Sequence, residues 1–441
     1  MQKQIMIGNN EKKYLRELAK KYMEYANLPV MEERKRLWYK HNALKGERPL
    51  VLIDYNGFEN ELIEKPICKN PFTTEIERAL SLAILKKELI DDDTVISPFY
   101  TVNLEIDKMD FGLDFQIEEG IDAEGRKFGY KIEHPIKDLK KDRELIGNSS
   151  YSVDREYTLK KKSIIEEIFG DIMPVAIANR SLEWEFGPSH KLVKLMGMEQ
   201  LMYELVDSKE EVIELLDFVV KDFFDYLNWQ QEKGLLTLNN ENHYAGSGSY
   251  GFTHELPKEK SPSINDDESG RHYEKVSPVD LWLNTNSQET VGISPEMYRD
   301  IFYPSYKRIA QKFGLVYYGC CEPVSAVWDA CLHDLPHLRK VSISPWCDEE
   351  MMGERLRRSD VIYCRKPHPN LLSGEHFDEE AFTEHIQHTL SAAEGCELEI
   401  SFRDIYTVCG DRERMGKAVK IIRNLIDSYS SKHYQQPVLT S

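Results

Sequence analysis

The 441-residue sequence predicts an α/β fold, a single (β/α)8 TIM barrel, and three observations carry that prediction. Short β-rich runs alternate with helical stretches, eight runs can be counted, and each ends in polar or special residues. Strands alternating with helices imply a parallel sheet, and eight such units imply a closed barrel. The strand ends of a barrel converge on one face, where its chemistry sits.

Taken in order, residues 11–45 read as two amphipathic helices, with Tyr14, Leu15, Leu18, Tyr22 and Tyr25 at helical spacing. They predict an N-terminal helical extension over 1–45 ahead of a barrel over 46–441. The runs are Val51–Asp54, Pro174–Ala178, Leu235–Leu238, Leu281–Leu283, Leu315–Tyr318, Val341–Ser344, Val361–Tyr363 and Leu398–Ser401. About 120 residues separate the first two, so an insertion is expected over about 56–165, with Val95–Tyr100 as an extra strand inside it. A doubly wound sheet is the alternative. The polar stretch 257–278 reads as a lid, a binding loop or a disordered segment.

Bulk composition excludes several functions. A net charge of −19 argues against nucleic acid, which needs a concentrated basic face. No stretch approaches the roughly 20 apolar residues that cross a bilayer, and the first residues run straight into a charged helix, so a cytoplasmic protein is expected. Eight cysteines are too sparse for a disulfide scaffold in a chain this long. They read as thiols, either small buried groups or reactive ones.

The densest candidate chemistry lies at Tyr318-Gly319-Cys320-Cys321-Glu322. If the strand continues, Tyr318, Cys320 and Glu322 alternate onto one face, and a thiolate beside a carboxylate supplies two of the three protein ligands of a catalytic zinc. Cys321 joins them if the strand has ended, and Cys347 or Cys409 could complete a thiolate site. Small buried cysteines are the plain alternative. After the third run, Asn240, His243 and Tyr250 lie in a glycine-rich segment where the backbone can approach a ligand closely. His243 is a candidate base, and Asn240 and Tyr250 are candidate substrate contacts. Gln288 and Glu289 follow the fourth run. Glu289 is the carboxylate least explained by helix capping and so a catalytic candidate, as is Tyr318. Trp346 and Arg365, at later run ends, complete the expected substrate-binding set.

From about residue 165 onward the chain resembles the uroporphyrinogen decarboxylase-like superfamily. The resemblance rests on Gly187-Pro188-Ser189 followed by Gly197-Met198-Glu199-Gln200-Leu201, and on Ser294-Pro295-Glu296-Met297-Tyr298 leading to Pro304. Tyr318-Gly319-Cys320-Cys321-Glu322-Pro323 with Ser342-Ile343-Ser344-Pro345-Trp346 looks more closely like a branch grouped with corrinoid methyltransferase components. The resemblance implies a (β/α)8 barrel. The arginine-rich segment of true decarboxylases is absent, since Asn56-Gly57-Phe58-Glu59 follows Asp54-Tyr55. Zinc methyltransferases of the superfamily carry His-x-Cys where this chain has Tyr318-Gly319-Cys320, and a distant cysteine where Cys409 falls. Glu322 or Glu289 would then replace the missing histidine.

These readings lead to an expected function. The chain would move a methyl group between a small O- or N-methylated compound, or a thiol, and a corrinoid on a partner protein, with zinc as Lewis acid. No cobalamin-binding segment is visible in the sequence. The alternatives are a decarboxylase or lyase for a small carboxylic acid, clamped by Arg180, Arg365 and Arg403, and a non-catalytic binding subunit of a corrinoid assembly.

Overall fold

The computed structural model describes residues 7–63, 65–121, 127–257 and 276–433. All but the ends of the 257–278 loop therefore lies outside the described residues. Two helices lead the chain, α1 (Asn9–Ala26) and α2 (Pro29–Asn42), and Pro29 opens α2 at a position that needs no amide donor.

Among the described residues, eight strands pair in parallel. They are β1 (Leu50–Ile53), β2 (Tyr100–Asn103), β3 (Val175–Ala178), β4 (Trp282–Thr285), β5 (Leu315–Tyr318), β6 (Leu338–Ile343), β7 (Ile362–Arg365) and β8 (Leu398–Phe402). Six form one sheet in the order β1-β8-β7-β6-β5-β4, and β2 and β3 form a separate pair. The last strand lies beside the first, with Leu50 opposite Glu399 and Ile53 opposite Phe402. That is the closing contact of a barrel, but among the described residues no ladder joins β1 to β2 or β3 to β4. The fold is α/β with a six-stranded parallel sheet and a parallel pair.

Two departures from the sequence reading have a common cause. The run Leu235–Leu238 forms no strand. Side-chain amides do the work of a ladder there: Asn179 donates to the Leu235 carbonyl, and Asn239 both accepts from the Trp282 amide and donates to its carbonyl. On the free edge of β1, Asp93 accepts from the Val51 amide and Asp92 from the Ile53 amide, each at 2.8 Å. Carboxylates thus satisfy donors that a neighbouring strand would otherwise take. The strand foreseen at Val95–Tyr100 begins only at Tyr100, and β2 pairs with β3.

Residues between β1 and β3 also form two small antiparallel pairs, Ile106–Met109 with Ser150–Val153 and Ile117–Ile121 with Lys127–Ile132. A buried ion cluster ties this region to the helix Pro188–Asp207: Lys108 meets Glu185, and Lys191 meets Asp110 at 3.1 Å.

Helix α2 closes the end of the sheet where the strands begin. Trp38 donates its indole N–H to the Asp93 carbonyl, and His41 Nε2 lies 3.1 Å from Glu399. Glu399 also pairs with Lys340 at 2.9 Å, and both are essentially inaccessible, at 1% and 0% exposure. Polar side chains fill this end, so the opposite end is left open for chemistry. Among the described residues, no helix is long and apolar enough to cross a membrane.

Candidate active site at the strand ends

The open end collects residues that follow the strands: Asp54 after β1, Arg180 after β3, Glu289 after β4, Cys320 to Glu322 after β5, Lys366 after β7 and Arg403 after β8. Their placement follows from the parallel sheet alone.

The β5 strand stops at Tyr318 because Gly319 turns the chain at φ +102°. Only glycine takes that conformation without strain, and a Cβ there would lie 3.0 Å from that of Ser342. The expected alternation of Tyr318, Cys320 and Glu322 onto one face therefore fails. Tyr318 is buried, with its hydroxyl 2.6 Å from that of Tyr298 on a covering helix. It is no part of the open end. Tyr317 faces the interior instead, and its hydroxyl accepts from Lys366 at 2.7 Å.

Cys320 is 7% exposed, and its Sγ lies 3.5 Å from that of the exposed Cys321. The hydrogen bond with Cys321 brings the Cys320 thiol down to about 6, against the opposing effect of burial, and Lys366, a Ser247 hydrogen bond and Arg403 pull the same way. The same hydrogen bond drives Cys321 upward, so one thiol of the pair is a thiolate at neutral pH and the other keeps its proton. Arg403 places Nη1 3.9 Å from the Cys320 sulfur and 3.0 Å from the Ser247 hydroxyl, while its Nε reaches Asp54 at 3.2 Å.

Glu322 is buried and committed to backbone amides. Its carboxylate accepts from the Ser287 amide at 2.8 Å and the Cys320 amide at 2.9 Å, tying the end of β4 to the end of β5. Burial raises it to about 7 despite those donors. Cys409 is exposed, with its sulfur 3.9 Å from the Thr407 hydroxyl and 4.0 Å from the Ser373 carbonyl. Among the described residues no three His, Cys, Asp or Glu side chains gather around a point that could hold a metal. The predicted ligand set of Cys320, Cys321, Glu322 and Cys409 is thus not brought together, and this donor arrangement does not fit a resident zinc.

The remaining predicted residues divide. Arg365 is buried, pairs with Glu349 and donates to the Ser344 carbonyl at 2.7 Å, so it braces the layer beneath a helix and is closed to substrate. Asn240 anchors its loop by donating to the Leu256 carbonyl. Gln288 is exposed, and Trp346 is 66% exposed with its ring edge-on to His368. His243 and Tyr250 line a cavity of about 590 Å3 whose wall includes Asp54, the partner of Arg403. Desolvation, with Arg180 adding to it, lowers His243 to about 4, which keeps its imidazole neutral.

Glu289 is held by two residues the sequence reading missed. It accepts from the Ser189 hydroxyl at 2.7 Å and lies 3.2 Å from His190 Nδ1. Burial alone would raise it, but these hydrogen bonds outweigh that and leave the carboxyl below its ordinary range. The signal was present in Gly187-Pro188-Ser189-His190, a helix start that follows β3. Lys366 was passed over beside Arg365, although the period of a strand puts adjacent residues on opposite faces.

No protein-family model matches this chain, and no curated protein matches it. Among solved structures it is similar to a methyltransferase from Methanosarcina mazei, with a TM-score of 0.48 and 13% identity over 89% of this chain and 98% of that one. At that score and identity the activity has to be read from the side chains at the strand ends.

Proposed function

We propose that the chain is a methyltransferase that moves a methyl group between a small O- or N-methylated compound, or a thiol, and the cobalt of a corrinoid protein. The observation that carries this reading is the Cys320 thiol, lowered to about 6 at the open end of a parallel sheet beside Arg403 and Lys366. The reading takes the six-stranded sheet and the parallel pair as one barrel with its mouth at these residues.

In the demethylating direction a reduced corrinoid on a partner protein would supply the electron pair for the new bond to the methyl carbon, and the bond from that carbon to oxygen or nitrogen would break with its electron pair staying on the heteroatom. The Cys320 thiolate takes the proton of a thiol acceptor, and in the demethylating direction the heteroatom takes its proton from solvent or from the fraction of Cys320 that is protonated near pH 6. Arg403 and Lys366 offset the negative charge that develops, and their fixed positions avoid reorganisation during the step. No step passes through zinc. A decarboxylase would want arginines open to carboxylates. Arg180 is instead paired with Glu183 at 2.8 Å, Arg403 with Asp54, and Arg365 is buried.

The test is to mix purified chain with a corrinoid protein and follow the cobalt spectrum with methyl ethers, methylamines and thiols. A methyl-dependent change lost in Cys320→Ala supports the reading. An unchanged spectrum with every donor and acceptor overturns it. Metal analysis of the same samples checks zinc, and stoichiometric zinc lost in Cys320→Ala would restore the metal to the mechanism.

A further inference from the structure

Adjacent residues on a strand face opposite ways, which keeps the sulfurs of neighbouring cysteines apart. The turn at Gly319 removes that constraint, and the Cys320 and Cys321 sulfurs lie 3.5 Å apart at the open end. Their surroundings differ. Cys320 is 7% exposed and has the Arg403 guanidinium 3.9 Å from its sulfur, a cation that favours the thiolate. Cys321 is exposed, and its thiol donates toward the Asp404 carboxylate, 3.9 Å away. An attacking sulfur, a protonated sulfur within its reach and a base for that proton are the parts of a two-step thiol oxidation. The methyl transfer proposed above uses Cys320 alone and leaves Cys321 and Asp404 without a task.

We propose that a hydroperoxide converts this pair to a reversible disulfide between adjacent residues, with Cys320 as the attacking sulfur and Cys321 as the resolving one. The Cys320 thiolate attacks one peroxide oxygen and the O–O bond breaks. The leaving hydroxide takes a proton from solvent, and Cys320 is left as a sulfenic acid. Arg403 offsets the charge on the leaving oxygen. Cys321 then passes its proton to Asp404 and attacks the sulfenic sulfur. The S–O bond breaks, and the released hydroxide takes that proton back as water. The two sulfurs lose two electrons in all, and the peroxide is reduced to two waters.

Bridging requires the sulfurs to close from 3.5 Å to about 2 Å. Consecutive Cα atoms lie about 3.8 Å apart, below the usual disulfide range of about 4.4–6.8 Å, so the bridge is strained and a dithiol reduces it readily. That suits a switch better than a structural link. The peptide joining the two residues is also anchored: the Cys320 carbonyl accepts from Ser342 at 2.7 Å, and Ser342 accepts from Lys366 at 2.7 Å. Closing the ring therefore consumes the Cys320 thiolate and pulls on the group that positions Lys366. The loss of activity that follows rests on the methyl transfer proposed above; the bridge itself does not.

The test treats the reduced full chain with stoichiometric hydrogen peroxide and needs no corrinoid. The mass should fall by about 2 Da. Thiols titrated in denaturant should fall by two, from eight to six, and dithiothreitol should restore both readings. Peptide mapping should place the bridge at Cys320–Cys321 and leave the buried Cys331 free to alkylate. Cys321→Ala should instead give a sulfenic acid that dimedone traps and that proceeds to the sulfinic acid, about 32 Da heavier. Asp404 has left-handed backbone, φ +58°, which asparagine also adopts, so Asp404→Asn removes the base with little strain. It should slow ring closure at least about tenfold, so that dimedone captures Cys320 first. If either variant is unfolded by circular dichroism, the peptide map of the parent decides. Eight thiols after treatment, sulfinic acid forming in the parent as fast as in Cys321→Ala, or a bridge that uses Cys331 or joins two chains overturns the inference. A parent that bridges but transfers no methyl group with any donor sinks the proposed reaction alone. Methyl transfer that survives peroxide, with no bridge formed, sinks this inference alone.

Discussion

The Cys320 and Cys321 sulfurs lie 3.5 Å apart, and the contact divides two chemically identical groups into a thiolate and a thiol. Neighbours in sequence normally point to opposite sides of a strand. Here the turn at Gly319 has ended the strand, and both sulfurs reach the same space.

That division is open to direct measurement. Cys320 should react with iodoacetamide with a pH midpoint near 6, against about 8.5 for an ordinary thiol. Cys321→Ala removes the hydrogen bond that contributes most, so its midpoint should rise toward the ordinary value. Mass spectrometry of the alkylated peptide across pH 5–9 separates the two sulfurs. A midpoint near 8.5 in the unaltered chain would contradict the assignment.

Stability at the edge of β1 rests on two side chains. Asp92→Ala and Asp93→Ala each leave a buried β1 amide without an acceptor, at a cost of about 1–3 kcal/mol. Each loss also strands a cation: Asp93 meets Arg48 at 2.7 Å and Arg423 at 3.2 Å, and Asp92 meets the buried Lys86 at 3.2 Å. Urea unfolding gives both numbers. Two variants as stable as the parent would mean that another group satisfies those amides.

These carboxylates show where the sequence was legible and where it was not. The six strands of the larger sheet could be read because Val, Ile, Leu and Tyr cluster there and polar residues end each cluster. β3 was legible too, but its partner β2 was displaced, and Leu235–Leu238 was mistaken for a strand. Asn179, Asn239, Asp92 and Asp93 look like ordinary loop residues in sequence, and nothing local says that they replace ladder bonds. The site divides likewise. Cys320 stood out by its neighbours, whereas the Arg365 and Lys366 assignments hinged on which way a strand residue faces. The placement of the Glu322 carboxylate depends on the Ser287 amide, 35 residues away.

The closed end of the sheet carries a pH-dependent contribution. Burial alone would raise the Glu399 carboxyl, but the charge of Lys340 and the hydrogen bond of His41 outweigh it and hold it far below its ordinary range. A depressed folded value contributes stability that is fully present above the unfolded value, about 4.3, and is lost as pH falls through the folded value. Glu399→Gln strands the Lys340 charge and should cost about 3–5 kcal/mol at pH 7. The gap between parent and variant should stay level from pH 7 to pH 5 and narrow below about pH 4. Denaturant unfolding across that range checks the sign: a gap that widens on acidification would show the pair to be wrongly assigned.

The loop carrying Ser247 tests how the mouth is held together. Gly248 sits at φ +89°, and a Cβ there would come within 2.4 Å of the Ser401 hydroxyl and 3.0 Å of the Arg403 Cδ. Gly248→Ala must therefore move the loop away from β8, taking Ser247 from the Arg403 guanidinium and relaxing the group that sits over Cys320. The expected result is a stability loss of about 1–3 kcal/mol together with an upward shift of the Cys320 alkylation midpoint. Gly234→Ala is the control, because Gly234 also has positive φ, at +62°, but a Cβ there meets nothing within 4 Å. It should cost about 1 kcal/mol from backbone strain and leave the midpoint near 6. Equal midpoints in the two variants would show that the loop does not set the state of the thiol. A shift confined to Gly248→Ala would place Ser247 and Arg403 among the groups that do.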